Sequence, residues 1–350
     1  MKNTCNIANF NCTFNVNGTL KPLLEYFEEI IFPALTDPNL QRITRKNKRV
    51  TAEYFLYDVQ LVKIGEDDYA LMGKHVKRAH LKIDQDITPE EGIKHIGEIK
   101  TSAPYSTFIL LLKNHRVIYF KESDQGAPDI RSFAVTAREV ISKYIKGKRI
   151  NLINELNSNS FYYNSKHYTS INDFTEEVLN KQYPFAELNI VPIESRELVK
   201  AHFAKIKKIN SLSLSIYKLN SELHYDNYFE NVSEFANKLG TSKVEQTVKN
   251  IDNVKEVQNM VSNLNGQVDY KIKSTTEDNT KVTLTPKDVT ESIEVEYDES
   301  SSDSDKANQI INNLNTRQEI QKEISSENTN HYNSLKNVFR KLIAQIQFTK

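Results

Sequence analysis

Residues 95 to 112, HIGEIKTSAPYSTFILLL, carry an acid and a lysine two positions apart, Glu98 and Lys100, ahead of an apolar run. On a strand such a pair shares one face. There the carboxylate, with an upstream Asp84 or Asp86, could hold a divalent cation beside the ammonium. The local sequence predicts otherwise. Thr88-Pro89-Glu90-Glu91 reads as a helix start, with Thr88 capping free amides, Pro89 at the first helical position and Glu91 completing a capping box. Ile93, Ile96 and Ile99 then recur at spacing three. The expectation is a helix, weakened by about 1 kcal/mol at each of Gly92 and Gly97, on which Glu98 and Lys100 diverge by about 200° and share no metal.

A second candidate pair, Arg196 and His202, lies in RELVKAH. His202 follows Leu198 by four and Val199 by three, so it is expected on the apolar stripe of a short helix as a packed histidine, with Arg196 at the exposed start. The eight histidines include no His-x-His, no His-Glu-x-x-His and no Cys-His box, and the nine glycines form neither a Walker loop nor Gly-x-Gly-x-x-Gly. No Gly-x-Ser-x-Gly elbow is present. The expectation is therefore no cofactor and no metal. Cys5 and Cys12 are too few for a disulfide framework and read as free thiols of a reducing cytoplasm.

Cationic residues cluster in the front half: Arg42, Arg45, Lys46, Lys48 and Arg49; Lys74, Lys77 and Arg78; and Lys143, Lys146, Lys148 and Arg149. The net charge of zero hides an offset, 23 Lys and Arg against 18 acids in residues 1–150 and 23 against 28 beyond. Such clusters neutralise phosphates without reading sequence, and Tyr54, Tyr57 and Tyr105 would offer stacking surfaces if exposed. DNA, RNA or a partner protein are the ligands this pattern suggests, and self-association is compatible with it. No signal peptide and no apolar run of membrane-spanning length is visible, so a soluble cytoplasmic protein is expected.

The elements that must position these residues read as α+β. Phe10, Cys12, Phe14 and Val16 alternate as a strand; a helix is expected from Thr19 to Pro33; residues 50–64 and those from Tyr69 form a hairpin through Gly65. TFILLL and VIYFK form another hairpin, and a helix runs from Asp129 to Gly147. Further on, AELNIVPI, the 195–206 helix and SLSLSIYKL form a β-α-β unit, followed by a helix ending at Gly240 and one spanning Val244 to Leu264. Strands are expected near 268–272, 282–284 and 293–297. This gives two mixed domains with largely antiparallel sheets: 1–150, a join at 151–170, 171–297, then an acidic linker and C-terminal helices over 298–350.

Three resemblances accompany these readings. Glu98-Ile99-Lys100 resembles the Glu-x-Lys half of the divalent-metal nucleases, and Arg196 to His202 resembles the Arg-x-His pattern of the HEPN ribonucleases; each would imply a nuclease. The element order, with YSTFILLLKNHRVIYFKESDQGAPDIRSFAVTAREVI ahead of LNIVPIESRELVKAHFAKIKKINSLSLSIYKL, looks like uncharacterised proteins of bacterial anti-phage defence islands. That likeness implies a sensor or adaptor role and assigns no catalytic residue. The reading preferred here is a binding protein without chemistry of its own, with a nuclease as the alternative.

Overall fold

In the computed structural model, residues 2–88, 92–120, 126–158, 161–163, 166–168, 176–217, 227–264, 266–290, 292–298, 300–315, 317, 320, 324 and 326–349 are described. The chain opens with β1 (Lys2–Val16) and β2 (Thr19–Pro22), a 3-10 turn, a π turn and α1 (Phe32–Thr36). It continues through β3 (Gln41–Lys46), β4 (Arg49–Ile64), β5 (Asp68–Thr88), β6 (Gly92–Ser102), β7 (Tyr105–Leu111) and β8 (Arg116–Phe120). Then come α2 (Ile130–Ser158), β9 (Phe161–Tyr163), β10 (Lys166–Tyr168), α3 (Glu176–Gln182), β11 (Ala186–Pro192), α4 (Arg196–Phe203) and β12 (Ile206–Tyr217). The remainder is α5 (Asn227–Leu239), β13 (Lys243–Ile251), α6 (Val254–Val261), β14 (Val268–Thr276), β15 (Lys281–Leu284), β16 (Ser292–Glu296), α7 (Asp303–Leu314) and α8 (Ser326–Thr349).

The fold is α+β, with two mostly antiparallel sheets and a closing C-terminal helix. The larger sheet has ten strands along the path β11-β1-β8-β7-β5-β4-β3, with β16 and β2 also on β1 and β6 on β5; the smaller runs β13-β12-β14-β15. Strand alternation decides both cores. Phe10, Phe14, Phe108 and Tyr119 face the helices, meeting Phe27, Phe133 of α2 and Phe339 of α8. Ile7, Ile109, Ile118 and Phe120 face the other way, against Ile293 and the Ala307, Ile310, Leu314 stripe of α7. Leu212, Leu214 and Ile216 of β12 build a third core with Val199, Phe203, Val257 and Val261.

Strands from the back half complete the front sheet, since β11 and β16 both pair with β1. Between them, β12 to β15 with α4 to α6 form an inserted module around the third core. The strand-helix-strand order of β11, α4 and β12 is present, but its two strands join different sheets.

Four local expectations are corrected. The stretch from Thr19 is a strand and mixed helical turns, and Pro33 sits in the first turn of α1, where its missing amide costs nothing. The helix from Asp129, whose carboxylate accepts the Ser132 amide at 2.8 Å, runs past Gly147 to Ser158. Residues 244–264 divide into β13 and α6, because Asn253 caps a new helix by accepting from Glu256 N at 3.1 Å. Most consequentially, Gly92–Ser102 is a strand on β5 rather than the end of a capped helix.

The β4–β5 hairpin contains a bulge: register passes from Tyr57/Lys74 to Gln60/Met72, with Asp58 at φ 50°. Gly73 fits under it, and a Cβ there would lie 2.7 Å from Val59 Cγ2 and 3.0 Å from Val59 Cα. Backbone cannot step aside as a side-chain tip can. Gly73→Ala is therefore expected to destabilise the protein by about 1–3 kcal/mol, read by urea denaturation; an unchanged midpoint would show that the bulge yields freely.

Candidate nucleic-acid interface

Register across β4, β5 and β7 determines which side chains share a face. Tyr57 opposes Lys74, Phe55 opposes Val76 and Glu53 opposes Arg78, while Lys74 and Val76 oppose Thr107 and Tyr105 on the next strand. Opposed residues lie on the same face. Tyr57, Lys74, Arg78 and Tyr105 thus come together on the side of the large sheet where α7 packs. Tyr57 is 53% and Tyr105 39% exposed. The Lys74 ammonium lies 5.5 Å from the Tyr105 ring centre and the Arg78 guanidinium 5.0 Å from that of Phe55. Arg78 also meets Glu53 at 3.4 Å, a surface pair worth little in water. Between this face and α7 opens a cavity of about 180 Å³, lined by Lys74, Tyr105, Thr107, Tyr297, Asp303 and Lys306 among others.

The hairpin carrying Arg45, Lys46, Lys48 and Arg49 turns through Asn47 and Lys48, both at positive φ, as a two-residue hairpin turn of the primed type requires. All four cations are exposed and make no ion pair among the described residues. At about 3.4 Å per residue, Arg49 lies roughly 14 Å along β4 from the Glu53/Arg78 row and roughly 27 Å from Tyr57. The tip, Arg78 and the tyrosine pair therefore succeed one another along one strand direction.

The other expected binders are placed elsewhere. Arg42 is tied into the fold, donating to Thr136 Oγ1 at 3.1 Å and Ser132 Oγ at 2.7 Å and lying 3.8 Å over the Tyr54 ring. Lys77 opposes Tyr54 and so belongs to the α2 side of the sheet. Arg149 donates to Asn180 Oδ1 at 2.8 Å and Tyr183 O at 3.1 Å, with Lys148 5.3 Å over Tyr144. From Thr136 to Arg149 is about 20 Å along α2, so Lys148 and Arg149 are not part of this face. The local sequence gave no sign of Tyr297, Asp303 and Lys306, which belong to a stretch expected as strand end, linker and polar tail.

Because β6 is a strand, Glu98 and Lys100 do occupy one face of it, opposing Ile83 and Leu81. The side chains of Asp84, Asp86 and Glu98 lie outside the described ones. At the other candidate pair, Arg196 is exposed and His202 half-buried in the last turn of α4, while Leu198 is 41% exposed, so the histidine is not the packed core residue expected. Among the described residues no group of three or more His, Cys, Asp or Glu is placed to hold a metal ion, and no helix is long and apolar enough to cross a membrane.

Behind the face, fully buried His75 meets Tyr119 Oη at 2.9 Å through Nδ1 and Thr136 Oγ1 at 3.0 Å through Nε2. Tyr119 donates to Pro128 O at 2.9 Å and Thr136 donates to Ser132 O at 2.8 Å, so the neutral ring has one proton to give to one of these two hydroxyl oxygens. Burial, with the nearby Arg42 charge, lowers the His75 pKa to about 3. An unfolded chain with an ordinary histidine binds more protons below about 6.5. The stability contributed by the neutral ring is thus complete above that pH and lost as pH falls toward about 3, at no more than roughly 1.4 kcal/mol per pH unit. Urea denaturation from pH 7 to 4.5 should show a smaller loss in His75→Gln than in wild type; equal slopes would mean that this ring does not govern acid sensitivity.

No family model, no curated protein and no solved structure matches this chain.

Proposed function

We propose that this protein binds single-stranded DNA or RNA along the outer face of its large sheet and serves as a cytosolic sensor or adaptor in bacterial anti-phage defence, without catalysis of its own. The observation that carries the proposal is the pair of exposed tyrosines, Tyr57 and Tyr105, set on β4 and β7 with Lys74 between them on β5. Exposed rings on a sheet stack on unpaired bases, which a duplex does not offer, and each such contact contributes about 1–3 kcal/mol. The Arg78 guanidinium and the cationic β3–β4 tip extend the face in the direction a phosphate backbone would follow, over a length of several nucleotides. The likeness to defence-island proteins supports the cellular setting.

Fluorescence anisotropy with labelled single-stranded and duplex oligonucleotides at low salt tests the reading. Single strands should bind in preference to duplex, Tyr57→Ala and Tyr105→Ala should each weaken binding about tenfold, and neutralising Arg45, Lys46, Lys48 and Arg49 together should flatten the salt dependence. Wild-type protein that retains neither polymer would overturn it.

A further inference from the structure

The strand SLSLSIY that forms the core of the inserted module has a second side. Its leucines go to the third core, so Ser211, Ser213 and Ser215 line the opposite face of the small sheet. Register sets them in rows: Lys249, Ser211 and Lys273; then Thr247, Ser213 and Lys271; then Glu245, Ser215 and Asp269. One end of this hydroxyl-lined face is therefore cationic and the other acidic.

The face does not open freely to solvent along its whole length. β11 of the large sheet lies across part of it, leaving a cleft of about 520 Å³ bordered by Ile190, Val191 and Pro192 on one side and by the small sheet with Pro286 on the other. A volume of this size at the junction of two modules suits a small organic ligand. Three cations converge on the cleft, Arg131 from the first turn of α2, Lys271 from β14 and Lys287 from the turn after β15. None of the three has an ion-pair or hydrogen-bond partner among the described residues. These three positive charges outnumber the two carboxylates, Glu245 and Asp269, that line the same cleft, and favour an anion at the cationic end. Opposite them, Asp269 and Glu245 can only accept hydrogen bonds when ionised, and burial raises the Asp269 pKa.

We propose that this cleft binds a nucleoside phosphate. Arg131, Lys271 and Lys287 take the phosphate, the Ser213 and Ser215 hydroxyls take the sugar, and the base lies against Ile190, Pro192 and Pro286 with its amino group toward Asp269. The site is separate from the tyrosine face, which lies on β4, β5 and β7, so either assignment can fail without the other.

Calorimetric titration of wild-type protein with ATP, GTP, CTP and UTP, and with inorganic phosphate and triphosphate as separate arms, tests it. At least one nucleotide should bind saturably. The Lys271→Gln, Lys287→Gln double variant should lose at least tenfold in affinity, and Asp269→Asn should alter preference among the bases. Because both lysines are exposed, circular dichroism should report an intact fold for the double variant. Oligonucleotide binding should survive the lysine changes, and nucleotide binding should survive Tyr57→Ala with Tyr105→Ala. No binding of any nucleotide, binding unaffected by the lysine changes, or inorganic triphosphate binding as tightly as every nucleotide would each overturn the proposal.

Discussion

In β1 every backbone group needs a partner along fifteen residues, and side chains on both faces are buried. Phe10, Cys12 and Phe14 enter the helix-covered core and Cys5 and Ile7 the core under α7. A strand buried on both sides must have its polar groups satisfied within the protein, and β1 meets this by pairing with β2, β8, β11 and β16, three of which are not its neighbours in sequence. That requirement draws residues 186–192 and 292–296 into the front sheet and leaves the stretch between them to fold as an insertion. The thiols of Cys5 and Cys12 share this burial, which raises both pKa values and keeps them as apolar filling.

Beyond Ile7, the Cys5/Ile7 face of β1 turns polar where it meets the insertion. Asn9 accepts from Arg116 and donates to Gly266 O at 2.7 Å, and Glu194 accepts from the Gly266 amide at 3.1 Å. Gly266 has φ 69°, and a Cβ there would lie 3.0 Å from Val191 O. These contacts join the two sheets through backbone at a position where a side chain does not fit. Burial pushes the Glu194 carboxyl up to about 8, so near neutral pH the junction holds it largely protonated. The cleft assigned to a nucleoside phosphate lies between the same two sheets, and a ligand there would report on their arrangement.

Much of this fold was legible where one face of a strand is core and the other is not. SLSLSIY, the first strand, the Gly65 hairpin and the start of the Asp129 helix all follow from alternation or from a cap. The 88–100 segment reads as a helix for a definite reason. β6 carries an extra residue between His95 and Glu98, as the register moves from Gln85/His95 to Ile83/Glu98. This breaks the period of two and leaves isoleucines at a spacing that mimics a helix, and only pairing with β5, a contact the segment itself does not encode, decides the outcome. Among the site residues, the exposed tyrosines and the hairpin tip were visible as candidates, but not that Arg42 and Arg149 are tied internally. Nor could spacing show that Lys249 of β13 and Lys271 and Lys273 of β14, dispersed in an acidic half, flank β12 on one face of the small sheet.

Binding at the tyrosine face is tested most directly by photocrosslinking of a single-stranded oligonucleotide carrying 4-thiouridine, with the attached peptides mapped by mass spectrometry. Adducts are predicted on the peptides containing Tyr57 and Tyr105, with none on the end of α2 around Lys148 and Arg149. Adducts confined to the α2 end, or to the four-stranded sheet, would contradict the assignment.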